Sequence, residues 1–122
     1  MRLAELSLEQ VDRLIVARLE GEIDMSNARD LGTVIADRIP NDALALVIDL
    51  SDVDYVDSAG IRVLFDLRNS LRARGQELRL VVPRGREIFE ALRIAFVPGI
   101  VPVFDTVAAA THRIPDKRKD GD

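Results

Sequence analysis

The chain has 122 residues, 48% of them hydrophobic and 31% charged, with no cysteine, no tryptophan and a single histidine. That length suits one domain able to bury its own core, and the absence of cysteine excludes a disulfide framework, a thiol nucleophile and a cysteine-based zinc site. With 17 basic against 21 acidic residues the net charge is −4, without the basic footprint expected of a nucleic-acid binder.

Two periodicities alternate along the chain. Residues 13–20 predict a strand, with Ile15, Ala17 and Leu19 on one face and Val16, Arg18 and Glu20 on the other. Gly21-Glu22-Ile23-Asp24 leads into a helix over about residues 26–39, whose apolar positions Ala28, Leu31, Ile35 and Ile39 form one stripe. Either Asp24 or Ser26 is able to cap it, and Pro40 stops it. The run 43–50 is apolar almost throughout, as in a strand covered on both faces. A loop is expected over Ser51–Asp57, followed by a helix over 58–74 with Ile61, Leu64, Phe65, Leu67 and Leu71 facing inward and Gly75 ending it. Leu78–Val82 reads as a strand, and Ile88, Ala91, Leu92 and Ala95 mark a third helix. Ile100–Phe104 reads as a short strand, placed at an edge by Pro102, and Asp105 caps a final helix to Arg113. One more strand fits residues 3–8. The order predicts an α/β fold: a single mixed, mostly parallel sheet of four to five strands with about four helices. Residues 1–113 are expected to form the domain and 114–122 a flexible, solvated tail.

The segment from Asp49 to Ile61 runs from a buried strand past Asp52, Asp54 and Asp57 to Ser58 at a helix start. Strand ends that meet helix starts are where α/β sheets usually place function, although aspartate and serine are also the commonest turn and cap residues. Four enzymatic readings fail. Asp52-Val53-Asp54-Tyr55-Val56 imitates the phosphatase pattern D-x-D-x-V, but the only lysines, Lys117 and Lys119, lie in the tail. A receiver domain with Asp49 as phosphoacceptor lacks both its acidic pair and its lysine. The position two before Ser58 is Val56, so no G-x-S-x-G elbow exists, and the lone His112 belongs to the final helix. Pro83-Arg84-Gly85-Arg86 has one glycine and fits no phosphate-loop spacing. No cofactor, metal or catalytic residue is expected. What survives is a serine that becomes modified: a phosphate on Ser58 adds about 1.5–2 negative charges beside Asp54 and Asp57, at a helix N-terminus that tolerates anions.

Gly21-Glu22-Ile23-Asp24, the strand through Asp49, and Asp57-Ser58-Ala59-Gly60-Ile61 together resemble a STAS domain of the bacterial anti-sigma factor antagonist kind, over about residues 8–112. The resemblance implies helices mainly on one side of the sheet. It implies that the unphosphorylated protein binds an anti-sigma factor that is also an ATPase-type serine kinase, releasing sigma factor, and that phosphorylation of Ser58 ends the interaction. Asp24, Asp54, Asp57, Ser58, Ala59, Gly60, Ile61 and Arg62 would then meet the partner. Ala59 stands where many antagonists carry serine or threonine, so no second hydroxyl is available. A different reading makes the chain a constitutive STAS scaffold or transporter-accessory subunit in which Ser58 is only a helix cap. A third makes the same loop a small-ligand site. No window reaches the ~18 consecutive apolar residues of a membrane span, no signal peptide is evident, and a cytoplasmic monomer or weak homodimer is expected. Ser58→Ala is expected to cost ~1 kcal/mol through the cap, and a bulky residue at Gly60 to impair docking more than stability.

Overall fold

The computed structural model describes residues 5–112. Five strands form one sheet in the order β1-β2-β3-β4-β5. β1 (Glu5–Val11) and β2 (Leu14–Ile23) make an antiparallel hairpin. β2, β3 (Ala45–Val56), β4 (Glu77–Val81) and β5 (Val103–Phe104) are parallel. Parallel neighbours need long crossovers, and these carry α1 (Ala28–Asp37), α2 (Ser58–Ala73) and α3 (Glu87–Ile94), with α4 (Val107–Thr111) following β5. The mixed, mostly parallel α/β fold expected from the sequence is the one observed.

β3 is buried on both faces. Leu46, Ile48 and Leu50 point to the main core with Ile15, Ala17 and Leu19 of β2 and Leu78 and Leu80 of β4. Ile35, Leu64, Leu67, Leu71, Ile88 and Leu92 cover them from α1, α2 and α3. On the opposite face Val16, Val47 and Val81 meet Ala110 of α4. Three helices therefore lie on one side and one on the other. α2 ends as its composition predicts. Gly75 sits at φ +73, its N–H donates to the Arg72 carbonyl, and the Gln76 N–H donates to that of Leu71, the two bonds that close a helix through a left-handed residue.

Several boundaries differ from the sequence expectation. Residues 51–56, expected as a loop, continue β3, and β2 runs on to Ile23. The two strands stay paired through two register shifts, at Arg18–Glu20 and Gly21–Glu22 of β2. Gly21 takes φ +103 at the second shift, a conformation open mainly to glycine. The shifts turn Val53 and Val56 into the core while Asp52, Asp54 and Tyr55 face out, so no simple alternation announces a strand. Neither Asp24 nor Ser26 caps α1; Asn27 holds that position. α4 is capped by Thr106, whose hydroxyl accepts from the Ala109 N–H, and Asp105 is displaced from the role. Val97–Gly99 is a 3-10 turn, and only Val103–Phe104 of the expected last strand pairs, at the edge, just after Pro102. The tail expected at 114–122 lies outside the described residues.

Candidate functional site

Ser58 is the first residue of α2, at the end of the sheet where β2 and β3 finish. The cap is Asp57, not Ser58. Asp57 Oδ1 accepts from the Gly60 N–H at 3.0 Å, and Oδ2 accepts from the Met25 N–H at 3.0 Å. Its own N–H donates to the Ile23 carbonyl at 3.1 Å. One carboxylate thus clasps the β2–α1 turn to the start of α2. Ser58 is exposed, and its hydroxyl has no hydrogen-bond partner among the described residues. Two other serines contrast with it: the Ser26 hydroxyl donates to Asp24 and the Ser51 hydroxyl to Asp49. The expected cost of Ser58→Ala through a lost cap therefore has no structural basis.

Asp24 is buried and occupied within its own turn. Its Oδ1 accepts from the Ser26 hydroxyl and, at 2.9 Å, from the Ser26 N–H. These bonds, the hydroxyl's first, hold its carboxyl below the ordinary aspartate value despite the opposing cost of desolvation. Asn27 locks the same turn, accepting from the Asp24 N–H and donating to the Glu22 carbonyl. The turn that Asp24 closes contains Met25, whose N–H donates to Asp57.

Asp54 faces out from β3, and Arg86 reaches across to it at 3.3 Å while donating to the Val53 carbonyl at 2.9 Å. The acidity beside Ser58 is thus partly neutralised, and the start of α3 is tied to the bulged end of β3. Gly60 is buried. A Cβ there would stand 2.8 Å from Val56 Cγ1, 3.0 Å from Ile23 Cγ2 and 3.2 Å from the Ile23 carbonyl oxygen. It permits α2 to close on the strand ends and offers a partner no surface, which overturns the expectation that a bulky residue at 60 would act mainly on docking. Ile61 and Ala59 are half-buried, and Arg62 is exposed one turn after Ser58.

The structure adds residues that the sequence pattern did not single out. Met25 is 83% exposed and Tyr55 50% exposed, both at the Ser58 end of the sheet. Exposed large apolar groups beside a free hydroxyl form the kind of surface that proteins dock on. A groove of about 480 Å³ opens from there between α1 and α2, bordered by Met25, Ala28, Gly32, Ala59, Arg62 and Val63. Within it Gly32 lets α1 approach α2 closely: a Cβ there would lie 2.8 Å from Val63 Cγ1. The lone histidine, His112, is exposed beyond α4.

Residues 5–110 match the family model described as the STAS domain. The chain belongs to the STAS domain family. It is 32% identical over 108 residues to BtrV of Bordetella bronchiseptica, named as an anti-sigma factor antagonist, covering 87% of this chain and 90% of that protein. The crystal structure of an anti-sigma factor antagonist from Mycobacterium paratuberculosis superposes with a TM-score of 0.78 at 25% identity, covering 88% of this chain and 91% of that one. Low affinity sulfate transporter 3 of Stylosanthes hamata is 44% identical over 69 residues, 54% of this chain but 11% of the transporter. No helix of this STAS domain, among the described residues, is long and apolar enough to cross a membrane.

Proposed function

We propose that this STAS domain is an anti-sigma factor antagonist switched by phosphorylation of Ser58. Unmodified, it binds an anti-sigma factor that is also an ATP-dependent serine kinase, in the cytoplasm, and so frees a sigma factor for transcription. The surface includes Met25, Tyr55, Ser58, Ala59, Ile61 and Arg62, with Asp54 at its edge; Asp24, Asp57 and Gly60 build it from beneath. One observation carries the reading: Ser58 stands exposed at the first position of α2 while its neighbour Asp57 does the capping. A modification of Ser58 therefore leaves the hydrogen bonds of the helix start in place. The added charge of about −1.5 to −2 falls on the docking surface, where it opposes any carboxylates the partner brings. The names of BtrV and of the Mycobacterium protein support the same reading.

The test is incubation with a cognate ATPase-type anti-sigma factor and γ-labelled ATP. Label is expected on Ser58 and absent from Ser58→Ala, which still binds the kinase, while Ser58→Asp binds at least tenfold more weakly. A second reading, a constitutive accessory subunit of a transporter, is favoured by the 44% identity to part of the sulfate transporter. It predicts no label and unchanged partner binding in Ser58→Asp.

A further inference from the structure

The end of the domain remote from Ser58 carries a feature that the proposed switch does not use. Arg72 lies 14 residues along α2 from Ser58, about 21 Å at 1.5 Å per residue. At that same end α3 finishes at Ile94, Ala95 forms its C-cap, and Phe96 follows at φ +62 and ψ +22. The Phe96 N–H donates to the Arg93 carbonyl, the bond made by a left-handed residue closing a helix, a place where glycine is usual and a bulky side chain is strained. The chain uses glycine for the same task at Gly75. Phe96 is also 76% exposed, between Ile94 at 70% and Ile100 at 45%. Backbone strain and an exposed aromatic ring both work against stability, and glycine would relieve both. Stability therefore does not account for phenylalanine at this position.

The neighbouring surface has a charge to match. Ile100 and Pro102 form one side of a groove of about 340 Å³ whose other side is Arg68 and Arg72 of α2. Arg68 bonds only to the adjacent Asn69, and Arg72 has no acidic partner among the described residues. The acid in the groove, Glu77, is taken by Arg79 at 3.2 Å. Ile100 thus connects the exposed apolar segment 94–100 to a wall of two arginines. A second copy of this chain docking here by two-fold symmetry would bring two more arginines into the same interface, a like-charge crowding that no unpaired acid of the groove relieves. An acidic segment with an apolar anchor meets no such repulsion.

We propose that residues 94–100, with the Arg68–Arg72 edge of α2, form a second protein-docking surface that takes an acidic peptide segment bearing an apolar anchor, and that Phe96 is its central contact. The surface is independent of Ser58 and of the switch assigned to it.

The probe is a library of random 12-residue peptides displayed on phage and selected against the full chain. Enrichment of sequences pairing an aromatic or large aliphatic residue with two or more acids is expected. Amide shifts induced by the best peptide should map to residues 94–100 and to Arg68 and Arg72. Phe96→Gly and Arg72→Glu should each weaken that peptide at least tenfold, Ser58→Asp should leave it unchanged, and Phe96→Gly should raise the urea midpoint. The proposal is overturned by enrichment of basic or uncharged peptides, by no enrichment, or by shifts that map to the Ser58 end. Undiminished binding in Phe96→Gly, or a lowered urea midpoint there, overturns it too, as does a concentration-dependent dimer abolished by Phe96→Gly.

Discussion

Replacing Gly60 by alanine tests whether the start of α2 is seated by close contact with the strand ends. The added methyl would lie 2.8 Å from Val56 Cγ1, 3.0 Å from Ile23 Cγ2 and 3.2 Å from the Ile23 carbonyl oxygen. Val56 and Ile23 are buried and β-branched, so neither swings aside easily. The Ile23 carbonyl is held by the Asp57 N–H at 3.1 Å, and moving it stretches that bond. Overpacking of this kind costs about 1–3 kcal/mol, against a gain of up to about 1 kcal/mol for removing a helical glycine. A net loss of roughly 1–2 kcal/mol follows, or about 4–10 °C in Tm for a domain of this size. Urea unfolding followed by far-ultraviolet circular dichroism should show a lower midpoint at an unchanged slope. Gly85→Ala and Gly99→Ala serve as controls, because a Cβ at either position meets nothing within 4 Å; each should be neutral or gain up to about 1 kcal/mol. If Gly60→Ala is as stable as the parent, the close seating of α2 is not what requires glycine there.

Asp57→Ala should cost about 1–2 kcal/mol, since the Gly60 and Met25 amides both lose their acceptor, while Ser58→Ala should stay within about 0.5 kcal/mol of the parent. Parallel thermal melts decide this, and equal losses would return the cap to Ser58. The carboxyl of Asp24 titrates below its unfolded value, so its contribution to stability is complete above about pH 4 and is lost as pH falls through the lowered value. In Ser26→Ala the Asp24 carboxyl, followed by carbon-detected NMR, should titrate at higher pH; an unmoved titration would mean that the hydroxyl is not the cause. Met25→Ser combined with Tyr55→Ser should weaken anti-sigma factor binding at least tenfold in calorimetry without lowering the urea midpoint. Unchanged affinity would place the docking surface elsewhere.

The parts of this fold legible in the sequence are those decided within a few residues. The inward stripe of Leu64, Leu67 and Leu71 and the glycine at 75 define α2 without help from the rest of the chain. The run 45–50, apolar but for Asp49, announces a strand covered on both sides. Residues 51–56 were hidden because strand pairing there depends on two register shifts against β2, and a shift between strands distant in sequence leaves no local period. Caps were ambiguous for a related reason. Asp24, Ser26 and Asn27 stand together, as do Asp105 and Thr106, and which of them takes the cap position depends on where the preceding strand delivers the chain: at α1 it is Asn27, with no side-chain bond to the helix amides, and at α4 it is Thr106, with one. Phe96 was invisible because the sequence signal for a left-handed helix end is glycine. At the site, Asp57-Ser58-Ala59-Gly60 was recognisable as a unit, but its division of labour was not.

That division bears on how the proposed switch would work. If Ser58 capped α2, phosphorylation would exchange the cap oxygen for a phosphate and disturb the helix start together with the surface. Asp57 takes both Gly60 and Met25 instead, and Gly60 lets the helix close against Val56 and Ile23. The helix start is complete without the serine. Arg86 adds a second restraint by holding Asp54 and the Val53 carbonyl, so that new negative charge at Ser58 meets a neighbourhood already partly balanced. A phosphate on Ser58 would therefore change the potential of the surface far more than the stability of the fold. An antagonist that must refold its partner site with each modification would respond slowly; one whose serine carries no structural load needs only the charge to change.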